Sequence, residues 1–264
     1  MNNVPIGIID SGSGGLSIWK EITTLLPYES TIYLGDHAYL PYSEKSTTFI
    51  RQRVAKLIDF LTAKHVKLIV IACNTATVAG IDRYRLQFPL VPIIGVVPVI
   101  KTAAEVTKTQ NIVVLSTVYT ANSSYQQKLI KTYASKCQVE CISSSRLVEF
   151  IESPRNNTEI IRKELRSVFR TIDSKIVDTL VLGCTHFPFI SDEICRIVGS
   201  TVHLLDSGGA VARHVKRILT NNNVLTALSH RKYFFYTTGY PANVTKTFQK
   251  LLKRRVVVVP AIIH

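Results

Sequence analysis

Short apolar runs alternate with amphipathic stretches along this chain, and this alternation restricts its fold more than any other feature. Residues 6–9, 31–35 and 68–72 are predicted as strands, and residues 16–25 and 49–64 between them have the apolar spacing of helices. Runs with few polar residues are typical of parallel strands that helices cover on both faces. The sequence therefore predicts an α/β fold.

The pattern of strand ends repeats in the second half of the chain. Predicted strands end at Asp10 and Cys73 in the first half, and corresponding strands end at Thr117 and Cys184 in the second. The separations within the two pairs are similar, 63 and 67 residues. We therefore predict two similar lobes, each a mostly parallel sheet flanked by helices, with the active site between them.

The end of the chain completes the first lobe in this interpretation. A strand at 233–237 and a helix at 244–252 follow the second lobe, and we expect this tail to fold back onto the first. The predicted division is residues 1–97 plus 207–264 for the first lobe and residues 98–206 for the second.

The composition and the chain start indicate a cytoplasmic protein. The number of cysteines is odd, five, which argues against a disulfide framework and favours a reducing compartment. Met1–Asn3 lacks the basic region of an export signal. No apolar run approaches the ~18 residues that a transmembrane helix needs, so we expect no membrane contact.

The net charge of +14 raises the competing hypothesis of a nucleic-acid-binding protein. The basic residues are scattered, and the short runs at 230–232 and 253–255 form no recognisable binding motif with aromatic residues. We interpret the charge as a solvated basic surface that can attract an acidic substrate, and we do not expect nucleic acid as a partner. DNA binding with a steep salt dependence would favour the competing hypothesis.

Polar side chains gather at the predicted strand ends, where open parallel sheets bind their ligands. This set is Asp10, Ser11, Cys73, Asn74, Thr75, Thr117, Cys184, Thr185 and His186. The loop 10–15 is rich in glycine, but it matches neither the P-loop nor the dinucleotide-binding pattern. Two interpretations stay open: the loop binds a small anion such as a carboxylate, or it is a tight turn between strand and helix.

Cys73 and Cys184 occupy matching positions, each after a strand and before a helix. The N-terminus of a helix stabilises a thiolate at such a position. A metal site would need further ligands, and a redox disulfide normally uses a short motif, but the chain has no Cys-x-x-Cys. The remaining cysteines, Cys137, Cys141 and Cys195, are predicted to pack in the core.

Acid–base chemistry suits two such thiols. Inversion of a Cα centre needs one group that removes the proton from one face and another that delivers a proton to the opposite face. A free thiol has a pKa near ~8.5, so each cysteine needs a neighbouring group to assist the proton transfer. Asp10 is placed to assist Cys73, and His186 is placed to assist Cys184.

Several motifs, taken together and in order, connect the chain to a known family. They are Asp10-Ser11-Gly12-Ser13-Gly14-Gly15, Gly35-Asp36 with Pro41-Tyr42-Ser43, Ala72-Cys73-Asn74-Thr75 and Gly183-Cys184-Thr185-His186. Over nearly its whole length the chain resembles the glutamate racemases of the aspartate/glutamate racemase superfamily. The resemblance implies a homodimer that needs no cofactor and no metal and interconverts L- and D-glutamate for peptidoglycan synthesis.

The same resemblance implies roles for individual residues. Cys73 and Cys184 would be the two proton donors and acceptors, assisted by Asp10 and His186. The residues that would contact glutamate are Asp10, Ser11, Tyr42, Ser43, Asn74, Thr75, Thr117, Thr185 and His186. Aspartate is the alternative substrate that the sequence leaves open, and some members of the family are thought to interact with DNA gyrase.

The chain departs from the family pattern at several positions. Ser43 stands where glycine is usual, and His37 opens a His-Ala-Tyr-Leu segment where Thr-Ala-Arg-Val is common. These departures spare the catalytic pair but leave substrate preference and oligomer geometry open. Asp36 and Glu152 are acidic positions near the site in the family, and a solvated surface carboxylate is the alternative interpretation of each.

Overall fold

The computed structural model of the protein describes residues 4–155, 157–173, 176–226 and 231–263. Met1–Asn3 and the first residue of the basic run at 230–232 lie outside the described residues. The strands in the described part form two sheets, and every strand pair in them is parallel. The prediction of an α/β fold with two lobes is confirmed.

Strands and helices alternate along the described residues. The strands are β1 (Ile6–Asp10), β2 (Thr31–Gly35), β3 (Leu68–Ile71), β4 (Ile93–Gly95), β5 (Asn111–Ser116), β6 (Gln138–Ser143), β7 (Thr179–Gly183), β8 (His203–Leu205), β9 (Tyr233–Thr237) and β10 (Val258–Pro260). The helices are α1 (Leu16–Leu25), α2 (Thr47–Thr62), α3 (Asn74–Gln87), α4 (Ile100–Val106), α5 (Val118–Ala121), α6 (Ser124–Tyr133), α7 (Arg146–Glu152), α8 (Thr158–Val168), α9 (Ser191–Val198), α10 (Gly208–Asn221) and α11 (Pro241–Leu252). Short 3-10 helices lie at His37–Tyr39, Tyr42–Glu44 and Phe187–Ile190. Within the described part, no helix combines the length and the apolar character that crossing a bilayer requires.

The strand orders show how the two lobes correspond. The first lobe is built on the sheet β10-β9-β2-β1-β3-β4, and the second lobe on the sheet β6-β5-β7-β8. β1 pairs with β3 and β5 pairs with β7, so the strands that precede the two cysteines have equivalent neighbours. β9 lies beside β2 and β10 lies beside β9 in the first sheet, although both strands follow the second sheet in sequence. The exact division of the chain at 97–98 and 206–207 stays a prediction.

Burial on both faces explains the apolar runs. All residues of β1 are buried. Ile6 and Ile8 point to one face, where they join a core cluster with α1 and α10, and Ile9 points to the opposite cluster with α2. Since each fully buried isoleucine contributes about 1.5–3 kcal/mol, such a strand is stable only between two layers of helices.

The expectation that the other cysteines pack in the core is wrong for Cys141 and Cys195, which are exposed. Cys141 lies on β6, which is an edge strand of the second sheet and buries little besides Ile142. Cys195 lies on the solvent-facing side of α9, whose buried residues are Ile194 and Val198.

Candidate active site

One cavity brings together side chains from the carboxyl ends of both sheets. Its walls include, of the residues singled out in the sequence, Ser11, Tyr42, Ser43, Cys73, Asn74, Thr75, Thr117, Cys184, Thr185 and His186. Leu40, Pro41 and Val148 complete the wall and were not predicted. Asp10 is fully buried and does not line the cavity.

Cys73 caps the N-terminus of α3, as the sequence predicts. Its Sγ accepts a hydrogen bond from the Ala76 N–H at 3.4 Å and lies 3.6 Å from the Ser11 hydroxyl. Burial, followed by the charge of Asp10, raises the pKa of the Cys73 thiol to about 12, although the Ala76 and Ser11 contacts oppose the rise. Cys73 is therefore a thiol at neutral pH, and its thiolate is a strong base.

Cys184 follows β7 and has a histidine as its partner. Its Sγ lies 3.7 Å from Nδ1 of His186, and Nε2 of that ring lies 2.7 Å from Oε1 of Glu152. Burial by itself lowers the pKa of His186, but the contacts with Cys184 and Glu152 outweigh burial and hold it well above its usual value. Because Nε2 donates to the carboxylate, Nδ1 faces the thiol and can take its proton.

Glu152 lies between the lobes with only 10% of its side chain exposed, so its interpretation as a surface carboxylate is wrong. Ser13 donates to it twice, from its backbone N–H at 2.5 Å and from its hydroxyl at 2.6 Å. Burial favours the neutral acid, but the hydrogen bond from His186, the charge of nearby His37 and the contact with Ser13 lower the pKa of Glu152 to about 2. The carboxylate therefore stays charged and fixes the His186 ring.

The glycine-rich loop at residues 10–15 binds a carboxylate. This carboxylate is the side chain of Glu152, not a bound small anion. A Cβ atom at Gly12 would meet Oε1 of Glu152, and a Cβ atom at Gly14 would meet the His186 ring. Both contacts would be closer than real side chains allow, so a side chain at either position would displace Glu152 or His186 from its place. The loop is thus the surface of the first lobe on which Glu152 and His186 of the second lobe rest.

Asp10 lies beneath this loop rather than against Cys73. Its carboxylate accepts hydrogen bonds from the Gly12 N–H at 2.7 Å and from the Thr185 hydroxyl at 3.4 Å. Burial raises the pKa of Asp10, and the charge of His186 opposes the rise. Within the described residues no hydrogen bond joins Asp10 to Cys73, so Asp10 acts on that thiol through its charge.

Asp36 is also buried, so its interpretation as a surface carboxylate is wrong too. Arg53 pairs with both of its oxygens, at 2.7 and 2.9 Å, and Thr238 donates to it at 2.8 Å. The Tyr42 hydroxyl donates to the same carboxylate at 2.6 Å. Burial and the Asp36 charge hold the pKa of Tyr42 well above its usual range, so Tyr42 stays neutral and keeps donating its hydroxyl hydrogen to Asp36.

Hydroxyl groups join the two lobes around the cavity. Thr75 and Thr117 lie 3.0 Å apart, and the Thr120 hydroxyl lies 3.1 Å from that of Thr117. The hydroxyl of Ser43, which departs from the family pattern, lies 3.2 Å from that of Ser145. The Ser43 side chain is thus part of the contact between the lobes.

Glu152 is the functional residue whose burial sequence reasoning missed. One local signal was available, because Glu152 is the last residue of α7. A carboxylate at a helix C-terminus is opposed by the helix dipole, and such a local conflict indicates a tertiary or functional requirement.

Comparison with known proteins agrees with this geometry. A family model described as Asp/Glu/Hydantoin racemase matches residues 6–215. Glutamate racemase from Stutzerimonas stutzeri is 37% identical over 254 residues, which is 96% of this chain and 96% of its own. Among solved structures, an isoform of glutamate racemase from Bacillus anthracis has a TM-score of 0.89 at 30% identity, covering 98% of this chain and 97% of that one. Escherichia coli glutamate racemase, in complex with L-glutamate and the activator UDP-MurNAc-Ala, has a TM-score of 0.87 at 31% identity, covering 99% of each chain.

The lowered pKa of Glu152 predicts how the free energy of unfolding changes in acid. Its folded-state value of about 2 lies below the usual 4.5, so its contribution is present above pH 4.5 and is lost as the pH falls through 2. At about 1.4 kcal/mol per pKa unit, the loss is on the order of 3 kcal/mol. We expect Glu152→Gln to remove this part of the pH dependence, as measured by urea unfolding between pH 6 and pH 2.

Glu149→Gln is the matched control, because Glu149 lies on the same helix and is exposed. This control should keep the native slope of stability against pH. An unchanged slope in Glu152→Gln would show that the carboxylate is not the ionised group described here.

Proposed function

Because this chain belongs to the Asp/Glu/hydantoin racemase family, we propose that it interconverts L- and D-glutamate with Cys73 and Cys184 as its two acid–base groups and no cofactor. One observation carries the proposal: both cysteines line the same cavity, with the Ser11 hydroxyl and the Ala76 N–H beside Cys73 and the His186 ring against Cys184. Pairs of groups whose environments separate their proton affinities are typical of acid and base partners.

The resting proton distribution follows from these surroundings. Cys73, whose pKa is raised to about 12, carries its proton, and His186, whose pKa is raised well above its usual value, lies against the sulfur of Cys184 and can take its proton. The thiolate of Cys184 removes the Cα proton from one face of the substrate, and the Cys73 thiol delivers its own proton to the opposite face. Cys184 then carries the former Cα proton and Cys73 is left as a thiolate, and the reverse reaction restores the first state.

Asp10 and His186 assist by different means in this mechanism. His186 lies against the sulfur of Cys184 and exchanges a proton with it. Asp10 raises the pKa of Cys73 through its charge, which makes the Cys73 thiolate a stronger base toward the Cα proton of the product. The weak acidity of that Cα proton is the main barrier, and strong bases lower it.

The neutral donors of the cavity wall are proposed to bind the substrate. Ser11, Asn74, Thr75, Thr117 and Thr185 surround the two sulfurs and present hydroxyl and amide groups. Such donors stabilise the charge that develops on the substrate carboxylate as the Cα proton leaves. Tyr42 and Ser43 lie in the same wall and complete the proposed contacts.

The relatives favour glutamate over aspartate as the substrate. The matched sequences are named glutamate racemases, and the Escherichia coli structure holds L-glutamate. The cavity between the lobes measures about 20 Å³, which is room for about one water molecule. A substrate as large as glutamate therefore enters when the lobes move apart, and their return excludes water from the reacting atoms.

Replacing either cysteine tests the proposal. We expect Cys73→Ala and Cys184→Ala each to lower racemisation by at least about 10³-fold, because each removes one of two required proton transfers. Circular dichroism of L-glutamate, D-glutamate and both enantiomers of aspartate, with and without added cofactor, measures the activity. Cys195→Ala, at an exposed cysteine, is the control and should keep native activity.

Two results would contradict the mechanism: near-native activity in either alanine variant, or activity that needs a cofactor. Faster racemisation of aspartate than of glutamate would identify aspartate as the substrate and would not contradict the two-cysteine mechanism.

We propose that the enzyme works in the cytoplasm and supplies D-glutamate for peptidoglycan. The bacterial relatives named glutamate racemase support this role, as does the odd number of cysteines. Expression of the chain should restore growth of a bacterium that depends on external D-glutamate, and the Cys184→Ala variant should not. Failure of the native chain, expressed at a normal level, would contradict the cellular role.

We also propose a homodimer, as the resemblance to the family implies. Light scattering on the purified chain should give about twice the monomer mass of 29.5 kDa. A mass equal to that of the monomer at micromolar concentration would contradict the dimer and leave the proposed reaction unaffected.

A further inference from the structure

His37 lies outside the cavity, on the far side of Glu152. It follows β2 and begins the short helix His37–Tyr39. Its Nε2 lies 3.1 Å from the Ser13 hydroxyl and 3.8 Å from Oε2 of Glu152, and its Nδ1 lies 2.9 Å from the Thr237 hydroxyl. Its side chain is 8% exposed, so these contacts are made away from bulk water.

The donors and acceptors in this chain of contacts fit only one way. The Ser13 hydroxyl gives its hydrogen to Glu152, so it can only accept from His37. Nε2 of His37 therefore carries a proton in either protonation state of the ring. Glu152 in turn accepts from Nε2 of His186, which leaves Nδ1 of His186 to face Cys184. The contacts form one continuous path from His37 to the sulfur of Cys184.

The position of the His37 ring is fixed by its neighbours. A Cβ atom on Gly239 would lie 2.8 Å from Cβ of His37, and a side chain on Gly35 would meet the ring itself. The ring centroid lies 5.8 Å from that of Phe248. The imidazole therefore packs closely against its neighbours inside the protein.

We propose that His37 is a positioning residue for the proton transfers of Cys184. It orients the Ser13 hydroxyl, which fixes the Glu152 carboxylate and with it the ring of His186. This inference rests on the proposed two-cysteine mechanism and adds to it a residue at which the chain departs from the family pattern. Glu152 in this enzyme is thus held from both sides, by His186 and by the pair of His37 and Ser13.

The effect is confined to one of the two cysteines. Cys73 has different partners, the Ser11 hydroxyl and the Ala76 N–H, and the path from His37 does not include them. Loss of His37 should therefore slow the transfers at Cys184 more than those at Cys73. In the proposed mechanism a different cysteine deprotonates each enantiomer. Kinetic measurements with L- and D-glutamate can therefore distinguish the two cysteines.

His37→Phe and His37→Gln separate this role from packing. Phenylalanine keeps an aromatic ring but removes the donor to Ser13, whereas the glutamine amide places a donor near the position of Nε2. We expect His37→Phe to lower kcat/KM for glutamate about tenfold, and His37→Gln to stay within about threefold of native. His203→Phe, at an exposed histidine on β8, is the matched control and should remain native.

Primary deuterium isotope effects with L- and D-[2-²H]glutamate are the decisive measurement. If the Cys184 transfers become slower, the isotope effect on kcat/KM should rise for the enantiomer that Cys184 deprotonates. It should fall toward one for the other enantiomer, because its labelled step is no longer rate-limiting. Ser13→Ala should also raise the isotope effect for one enantiomer and lower it for the other. This second variant keeps the test decisive if His37→Phe does not fold.

Equal changes in the two isotope effects, or a native rate in both His37→Phe and Ser13→Ala, would overturn the role of His37. Equal impairment of His37→Phe and His37→Gln with unchanged isotope effects would also overturn it and assign the residue to packing. The native chain in the same assay tests the proposed function separately. Absence of native racemisation overturns both proposals, whereas native racemisation with symmetric effects overturns this one alone.

Discussion

The arrangement of the site depends on the hydrogen bonds that the largely buried carboxylate of Glu152 accepts. Removing a charge from water is unfavourable by several kcal/mol unless partners replace its hydration. Here the N–H and hydroxyl of Ser13 and the N–H of His186 replace it. Because these donors come from both lobes, the carboxylate sets the position of the glycine-rich loop against the His186 ring and thereby the partner of Cys184.

Two similar lobes thus present two dissimilar thiols. The equivalent strand pairs β1–β3 and β5–β7 place both cysteines at the cavity, so the positions of the two cysteines in their lobes correspond. The surroundings are not symmetric, since Cys73 lies at a helix N-terminus near a buried carboxylate and Cys184 lies against an imidazole. The proposed reaction needs one thiol and one thiolate at a time, and these surroundings give the two sulfurs different partners for that exchange.

Local patterns made the fold and the cysteine pair readable from the sequence. Buried strands such as β1 and β7 have a continuous apolar run, so their ends, and the polar residues there, follow from the chain itself. The burial of Glu152 and the contacts of His37 were not readable, because Ser13 lies 139 residues from Glu152 and Thr237 lies 200 residues from His37. The edge strand β10 escaped prediction since only Val258 of its residues is buried, and the same partial burial misled the interpretation of Cys141.

The hydroxyl contacts between the lobes have a consequence for the equilibrium between closed and open forms. Thr75 with Thr117, Ser43 with Ser145, and Ser17 with the Thr185 carbonyl are neutral hydrogen bonds that water can replace. Each such exchange changes the free energy by only about 1 kcal/mol. These contacts therefore oppose separation of the lobes only weakly, unlike the hydrogen bonds from Ser13 to the Glu152 carboxylate.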